Sequence, residues 1–395
     1  WTDRAENIIS GIIRKANGKG VEEVYIATDP DREGEFIAWR LSIIFSDFPI
    51  VRRVTFNEIT ESAIQEAMAN HSDVDSNLVG AAKVRRFMDR LVGYRCSKFA
   101  RSWNLRSMGR VQTPTLGFIV ERELEREAHV PIPYHSIRAT SDGFNFKVRF
   151  HEKDEDGAWF DDDGKHFPDR TFDGELAEAT HEAISKAGKL AISSIKEGKK
   201  KRKAPAPFTT DTLLQAASSS LGWSMGKTSK IASDLYQAGH ITYIRTDSTR
   251  TSETSRNEVK SFIKEKYGEE FLGPGSLGPD AKKDSSNVQD AHEAIRPTNP
   301  ASEEVSGMEA DHKRLYRLVW SRFTSSQMSD SIRERRDLRA TIEGSGLLMT
   351  GTASWLVHSG WEEASAEFLA QPRNCLLYTS PSPRDGLLAR MPSSA

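Results

Sequence analysis

Cysteine is almost missing from this chain. The 395 residues hold two, Cys96 and Cys375, too far apart and too isolated for a disulfide framework or a zinc site, which fits a reducing cytoplasm. Long apolar runs are missing as well: no stretch approaches the ~18 residues of a spanning helix, so no membrane is expected. Trp1 to Glu6 offers no basic segment followed by an apolar core, which excludes a visible secretory signal. The first residue is Trp rather than Met, and the expectation is a true start further upstream. An excess of either charge is missing too. The 55 Lys and Arg stand against 57 Asp and Glu, a net charge of -2, which excludes a uniformly basic coat and confines any nucleic-acid contact to local clusters. What is present, 37% hydrophobic and 28% charged residues, describes a soluble globular chain of roughly two to four domains.

Ile8, Ile9, Ile12 and Ile13 at helical spacing predict a helix over 5–16, and Val24 to Ala27 predicts a strand ending in an acidic turn, Thr28 to Glu35. An amphipathic helix from Glu35 to Phe45 and a strand over 51–56 complete an α/β pattern typical of a parallel sheet. From Thr60 to Glu127 the pattern is helical and arginine-rich, interrupted by a turn at Pro114. Phe144, Phe146, Val148 and Phe150 then alternate with polar residues as in a half-exposed antiparallel strand. Lys196 to Pro207, KEGKKKRKAPAP, has the charge and proline content of a linker or hinge. Helices return over 209–329, with a Gly/Pro/Ser-rich loop over 273–287. Leu338, Ala340 and Ile342 then alternate up to a turn at Gly344-Ser345-Gly346, so one β domain split by a helical insertion accounts for both β regions. The tail is different in kind: CLLYTSPSPRD, Cys375 to Asp385, resembles the conceptual translation of a sequencing adapter, and the natural chain is expected to run out near Asn374.

Asp29, Asp31 and Glu33 alternate directly after an apolar strand, which aims carboxylates at the C-terminal edge of a sheet, where open α/β folds place their sites. Hard oxygen ligands in small number suit Mg²⁺, which keeps waters and shares phosphate oxygens. An acidic turn can equally be a solvated loop or a helix cap. Further on, Gly239 to Ser248 follows a helix after a glycine stop, and in extended geometry Tyr243, Arg245 and Asp247 face the same way. A phenol is a poor nucleophile at neutral pH until a cation stabilises its phenolate. Arg245 can do that, or hold a phosphate through its guanidinium fork. The plain alternative is a half-exposed strand with an Arg245–Asp247 ion pair.

Three further segments suit phosphate contact. Arg86, Asp89, Arg90 and Gly93 share a helix face. Ser107 to Thr115 sets Gly109, which lets backbone approach a phosphate, beside Arg110 and Gln112. His292 and Arg296 lie four apart. Each also has a structural reading: a solvated helix face, a turn before a helix, a satisfied histidine.

These strings carry a resemblance. ATDPDREGEFIAWRL, Ala27 to Leu41, resembles the toprim motif of topoisomerases and related phosphotransfer enzymes, in which this triplet binds Mg²⁺. The toprim pattern also has an earlier glutamate, often with a lysine, that this sequence does not contain. DLYQAGHITYIRTDSTR, Asp234 to Arg250, is similar to the active-site signature of type IA DNA topoisomerases, with Tyr243 in the nucleophile position and Arg245 two residues later. RRFMDRLVGY, GRVQ, AHEAIRP and PFTTDTLLQAAS resemble further segments of that family, and the TPTL after GRVQ is similar to its archaeal and topoisomerase III-like branches. The matches run in order from Ala27 to Trp361.

The resemblance implies a multidomain α/β, α and β architecture: a toprim parallel-sheet domain, helical domains and a split β arch in a toroidal core. The expected boundaries are a partial toprim domain at 1–56, an arginine-rich helical domain at 57–130, the arch at 131–205 and 333–374, a helical domain with the tyrosine at 206–332, and an artefactual tail at 375–395. It implies an ATP-independent DNA topoisomerase that relaxes negative supercoils through a 5′-phosphotyrosine, with Tyr243 and Arg245 catalytic and Asp29, Asp31 and Glu33 on Mg²⁺. Arg85, Arg86, Asp89, Tyr94, Ser107, Met108, Gly109, Arg110, Val111, Gln112, His292 and Arg296 are the implied DNA-binding residues. The implied partner is a single-stranded segment of negatively supercoiled DNA, met by a monomer in the cytoplasm at the nucleoid. Three alternatives stay open: the topoisomerase part of a reverse gyrase, a non-catalytic DNA-binding fragment, and a toprim primase or nuclease. Without the early glutamate, the chain as given is expected to be weakly active or inactive.

Overall fold

The computed structural model describes residues 3–141, 144–187, 189–275, 293–342, 346–369 and 388–390. It divides into two compact units, one of residues 1–128, 206–262 and 277–323, the other of 129–205, 263–276 and 324–395. Among the described residues no helix is long and apolar enough to cross a membrane.

The first unit opens with α1 (Asp3–Gly18), β1 (Glu23–Ile26), α2 (Arg32–Ile44) and β2 (Ile50–Arg53). The two strands pair in parallel, Glu23 opposite Ile50 and Ile26 opposite Arg53, with α2 as the crossover that parallel strands need. Helix α2 starts three residues before the expected Glu35 because Asp31 caps it, accepting the Gly34 N–H at 2.6 Å. Three helices follow: α3 (Glu61–Ala69), α4 (Ser76–Arg101) and α5 (Gln112–Ala128). Thr60 caps α3 and Asp75 caps α4. Pro114 does not interrupt the helical run as a turn. It sits in the first turn of α5, where its missing N–H has no intrahelical acceptor to lose.

In the second unit β3 (Arg138–Ser141) and β4 (Phe144–Val148) form a hairpin. The short pair β5 (Ala158–Phe160) and β6 (His166–Thr171) and the helix α6 (Gly174–Ala187) lead to the long strand β7 (Lys189–Arg202). The expected strand over 144–150 ends at Val148, because the Phe150 N–H turns to the Pro168 carbonyl at 2.8 Å.

Four helices follow, α7 (Thr210–Leu221), α8 (Met225–Gln237), α9 (Glu253–Lys266) and α10 (Ala310–Ser326). A capping box between Thr209 and Thr212 starts α7, and Gly222 ends it in the left-handed region at φ 70°. Leu213, Leu235, Ile241, Ile295, Leu315 and Val319 are buried in the first unit, and the ring of Phe262 stands edge-on to Trp320.

The chain then returns to the second unit as β8 (Ser331–Ile342) and β9 (Leu348–His358), with β10 at Leu388–Arg390. Strand order in the resulting six-stranded sheet is β10-β7-β8-β9-β4-β3. Segments more than a hundred residues apart in sequence thus share one sheet. Its core joins Phe146, Val148, Leu190, Leu338, Ala340, Ile342 and Met349 to Ile184 of α6, and the alternation of Leu338, Ala340 and Ile342 is the buried face of β8. The linker expected at 196–207 is corrected here. Lys196 to Arg202 are ladder residues of β7, each opposite a residue of β8 from Asp337 to Ser331. Lysine is a weak strand former, but a full-length partner strand outweighs local preference. The expected loop at 273–287 falls largely, and the expected turn at 344–346 mostly, outside the described residues.

Candidate active site

All of the site described here lies in the first unit. The loop after β1 is shaped by close packing: the Thr28 hydroxyl donates to the Gly34 carbonyl at 2.7 Å, and a Cβ on Gly34 would sit 2.1 Å from the Asp29 carbonyl oxygen. Only glycine allows that approach. Beneath the loop lies Arg53, 1% exposed. Its guanidinium donates to the carbonyls of Thr28 at 2.8 Å, Asp29 at 2.9 Å, Val54 at 2.6 Å and Ile26 at 3.2 Å. It also pairs with Glu35 at 2.8 Å, whose other oxygen accepts the Asp75 N–H at 2.7 Å. A buried charge network therefore fixes the backbone from which Asp29 and Asp31 project.

The tyrosine segment reaches this loop after α8. Gly239 takes φ 77°, and a Cβ there would lie 2.5 Å from the Ile59 carbonyl oxygen. The expected strand is extended but belongs to no ladder; Ile241 makes one isolated bridge to Pro297. The Tyr243 N–H donates to the Asn57 carbonyl at 2.7 Å and the Thr242 N–H to the Arg296 carbonyl at 2.9 Å. The Thr210 hydroxyl donates to the Ile244 carbonyl at 2.7 Å and accepts the Thr246 N–H at 2.9 Å. Backbone groups on both sides of Tyr243 are thus satisfied by three different segments.

That frame delivers the phenol to the acidic loop. The Tyr243 hydroxyl donates to Asp31 Oδ2 at 2.7 Å, with Asp29 Oδ2 at 3.5 Å. Arg245 Nη1 lies 3.5 Å from the same Asp31 oxygen. The ring of Tyr236 meets Tyr243 edge to face at 5.3 Å. Two carboxylates surround the hydroxyl, and Arg245, expected beside the phenol, pairs with one of them. Burial pushes the Tyr243 phenol far above its ordinary value, reinforced by the hydrogen bond and charge of Asp31 and by Asp29, and only Arg245 pulls it down.

A titration follows. Burial pushes the Tyr236 phenol up to about 12, helped by Asp29, and the Tyr316 phenol up to about 12. Both folded values stand above the ordinary 10.0, so the stability they contribute is complete below that value and is lost as pH rises from there through about 12. With Tyr243 they make three of the eight tyrosines. Tyrosinate absorbance at about pH 11 should show no more than five ionised in the native protein. All eight titrating together near the ordinary value, before helicity is lost, would contradict this burial.

The remaining site residues divide into those the structure gathers and those it does not. Glu33 turns from the phenol to Arg85, at 3.2 Å. Asp89 is 4.0 Å from Arg85 and receives Arg110 in a two-pronged contact at 2.6 and 3.2 Å. A chain Glu33, Arg85, Asp89, Arg110 thus runs from the acidic loop to the start of α5. The Ser97 hydroxyl holds both backbone groups of Met108, at 3.1 and 3.2 Å, and Gln112 donates to Ser107 at 3.2 Å, which sets the Ser107–Gln112 loop against α4. Tyr94 and Val111 are exposed, and Arg86 lies over the Phe36 ring at 5.9 Å. Arg296 is 4% exposed, held by Glu293 at 2.7 Å and Glu58 at 2.9 Å, and so ties segments together. His292 lies outside the described residues.

Asn57, Thr210, Arg53 and Glu35 were not among the expected site residues. PFTTDTLLQAAS and the Glu35 of the acidic motif were visible signals, but only their contacts show what they hold. For a cation, no three His, Cys, Asp or Glu among the described residues are gathered to hold one unaided. The two carboxylates converging at Tyr243 do fit Mg²⁺, which takes one or two carboxylates and completes its shell with water and phosphate.

Comparison with known proteins gives the family. A family model described as DNA topoisomerase matches residues 73–376, and one described as Toprim domain matches residues 3–59. DNA topoisomerase 1 of Pseudomonas aeruginosa is 41% identical over 335 residues, covering 82% of this chain and 36% of its own length. DNA topoisomerase 1 of Thermotoga maritima is 38% identical over 356 residues, covering 86% of this chain and 52% of its own. The solved structure of full-length topoisomerase I from Thermotoga maritima matches with a TM-score of 0.77 at 32% identity, over 98% of this chain and 61% of that one. The chain spans between about a third and a half of the length of these curated relatives.

Proposed function

This chain belongs to the type IA DNA topoisomerases, and on that premise we propose that it cleaves and rejoins one DNA strand through Tyr243. The observation that carries the reading is the Tyr243 hydroxyl donating to Asp31 at 2.7 Å with Asp29 at 3.5 Å. The phenol oxygen attacks a phosphodiester phosphorus as its proton passes to Asp31. The P–O3′ bond breaks and the leaving oxygen takes up a proton, the one Asp31 received being returned by way of solvent, which leaves the 5′-phosphate on Tyr243 and a 3′-hydroxyl on the released end. Reversal of the same step rejoins the strand after another has passed, and needs no ATP because the phosphotyrosine ester keeps the bond energy. Arg245, 66% exposed at its side chain and beside Asp31, is placed to grip the scissile phosphate and offset the charge of the attacking oxygen. Arg85 and Arg110, aligned by Asp89, hold the neighbouring backbone of the strand. Mg²⁺ held by Asp29 and Asp31 would supply charge neutralisation at the phosphate and the leaving hydroxyl.

The Asp31 carboxylate already accepts the phenol's hydrogen bond at 2.7 Å, which supports its role as the group that takes the proton as attack proceeds. The test is covalent trapping. End-labelled single-stranded DNA is incubated with the chain and Mg²⁺, the mixture is denatured, and the linked residue is mapped by peptide sequencing. A small yield of adduct mapping to Tyr243 is expected. No adduct while the oligonucleotide is bound, or an adduct mapping elsewhere, overturns the reading.

A further inference from the structure

Of the eight residues from Lys196 to Lys203, six are Lys or Arg and one is Glu. In a linker such charge would be spread through solvent. Pairing of β7 with β8 instead concentrates it, setting Glu197 opposite Arg336, Gly198 opposite Arg335 and Lys200 opposite Arg333. The last is a like-charge pair directly across a ladder, an arrangement that destabilises a sheet.

The two kinds of basic residue in this ribbon are treated differently. Its arginines are tied down: Arg202 and Arg333 share Glu362 at 3.3 and 2.8 Å, Arg335 pairs with Asp337 at 2.8 Å, and Arg336 pairs with Glu197 at 3.0 Å. Lys199, Lys200, Lys201 and Lys203 are exposed and have no carboxylate within 4.0 Å among the described residues. The bound arginines hold the ribbon's shape and leave exposed ammonium groups along β7, Lys199 and Lys201 on one face and Lys200 on the other. Flexible point charges without a planar fork suit sequence-independent contact with phosphates.

We propose that the β7–β8 ribbon is a docking surface for the phosphate backbone of a DNA segment other than the strand held at Tyr243. The proposal rests on the DNA reading above, and the exposed lysine charge of β7 is what a polyanion would neutralise. Each lysine that neutralises a phosphate of a duplex releases counterions.

The test compares the chain with its Lys199→Gln/Lys200→Gln/Lys201→Gln variant and with the same three lysines changed to Arg, reading the salt dependence of binding to a short duplex. In the Gln variant the slope of log affinity against log salt should drop by about two to three, and affinity at about 0.1 M salt by on the order of 100-fold. The Arg variant should keep both, and the yield of Tyr243 adduct on single-stranded DNA should stay unchanged in all three. An unchanged slope in the Gln variant, or an equal loss in the Arg variant, overturns the proposal. So does release of the duplex when the single-stranded oligonucleotide is loaded on the unaltered chain, since the ribbon would then serve the cleaved strand. Failure of any chain to form the adduct counts against the cleavage reading and leaves the duplex slopes to decide the ribbon.

Discussion

Tyr243→Phe is expected to reduce covalent DNA adduct by on the order of 10³-fold or more, because it removes the nucleophile and no second hydroxyl can replace it in line. Tyr236 is the nearest phenol, but it meets Tyr243 with its ring, edge to face, and burial makes its proton still harder to remove than an ordinary phenol's. The ring of residue 243 is held by backbone contacts to Asn57 and by Tyr236, and these survive the substitution. Affinity for a single-stranded oligonucleotide should therefore change by less than about threefold, a difference below 1 kcal/mol. Fold stability should fall by about 1–3 kcal/mol, because the bond lost, to Asp31 at 2.7 Å, has a charged acceptor. Gel quantification of the adduct and anisotropy of the unreacted complex, measured on the same samples, separate the two effects. An adduct that persists in the variant removes Tyr243 from the reaction.

The second large effect concerns a residue that touches no substrate. Arg53→Met should destabilise the first unit by about 3–5 kcal/mol, since it leaves the Glu35 carboxylate charged, buried and without its cation. It also takes the donor from the carbonyls of Ile26, Thr28, Asp29 and Val54. Adding Glu35→Gln should recover part of the loss. The amide oxygen can still accept the Asp75 N–H, and no unpaired charge stays behind. Urea unfolding of the two single variants and the double variant closes the cycle, with a coupling above about 1 kcal/mol expected between residues in such direct contact. A cost below 1 kcal/mol for Arg53→Met would mean that water reaches Glu35 and that the network does not set the loop.

Much of the site was legible in the sequence, and the reason is local. Asp29, Asp31 and Glu33 sit within one turn, Tyr243 and Arg245 two residues apart on extended backbone, and Arg85 and Asp89 four apart on one helix. Spacings this short fix relative direction through backbone geometry alone. The helix caps are equally local: Asp31, Thr60, Asp75 and Thr209 each bond to an N–H two or three residues ahead. What was misread depended on distant partners. Lys196 to Arg202 reads as a linker until β8, more than a hundred residues later, supplies the other side of the ladder. The burial of Arg296 likewise depends on Glu58, which meets it from another segment.

The sequence by itself determined the chemical inventory of this protein: a phenol, a carboxylate cluster and a set of arginines in motifs that identify the family, on alternating helices and strands. Tertiary structure alone decided the state of those groups. Whether a carboxylate faces the phenol or an arginine, as Asp31 and Glu33 do, whether a guanidinium is buried or free, and how strongly a hydroxyl keeps its proton all follow from burial and from charges brought within a few ångströms by long-range folding. Solvation and Coulomb energies depend on distance in space, and distance in space is not written in local order along the chain.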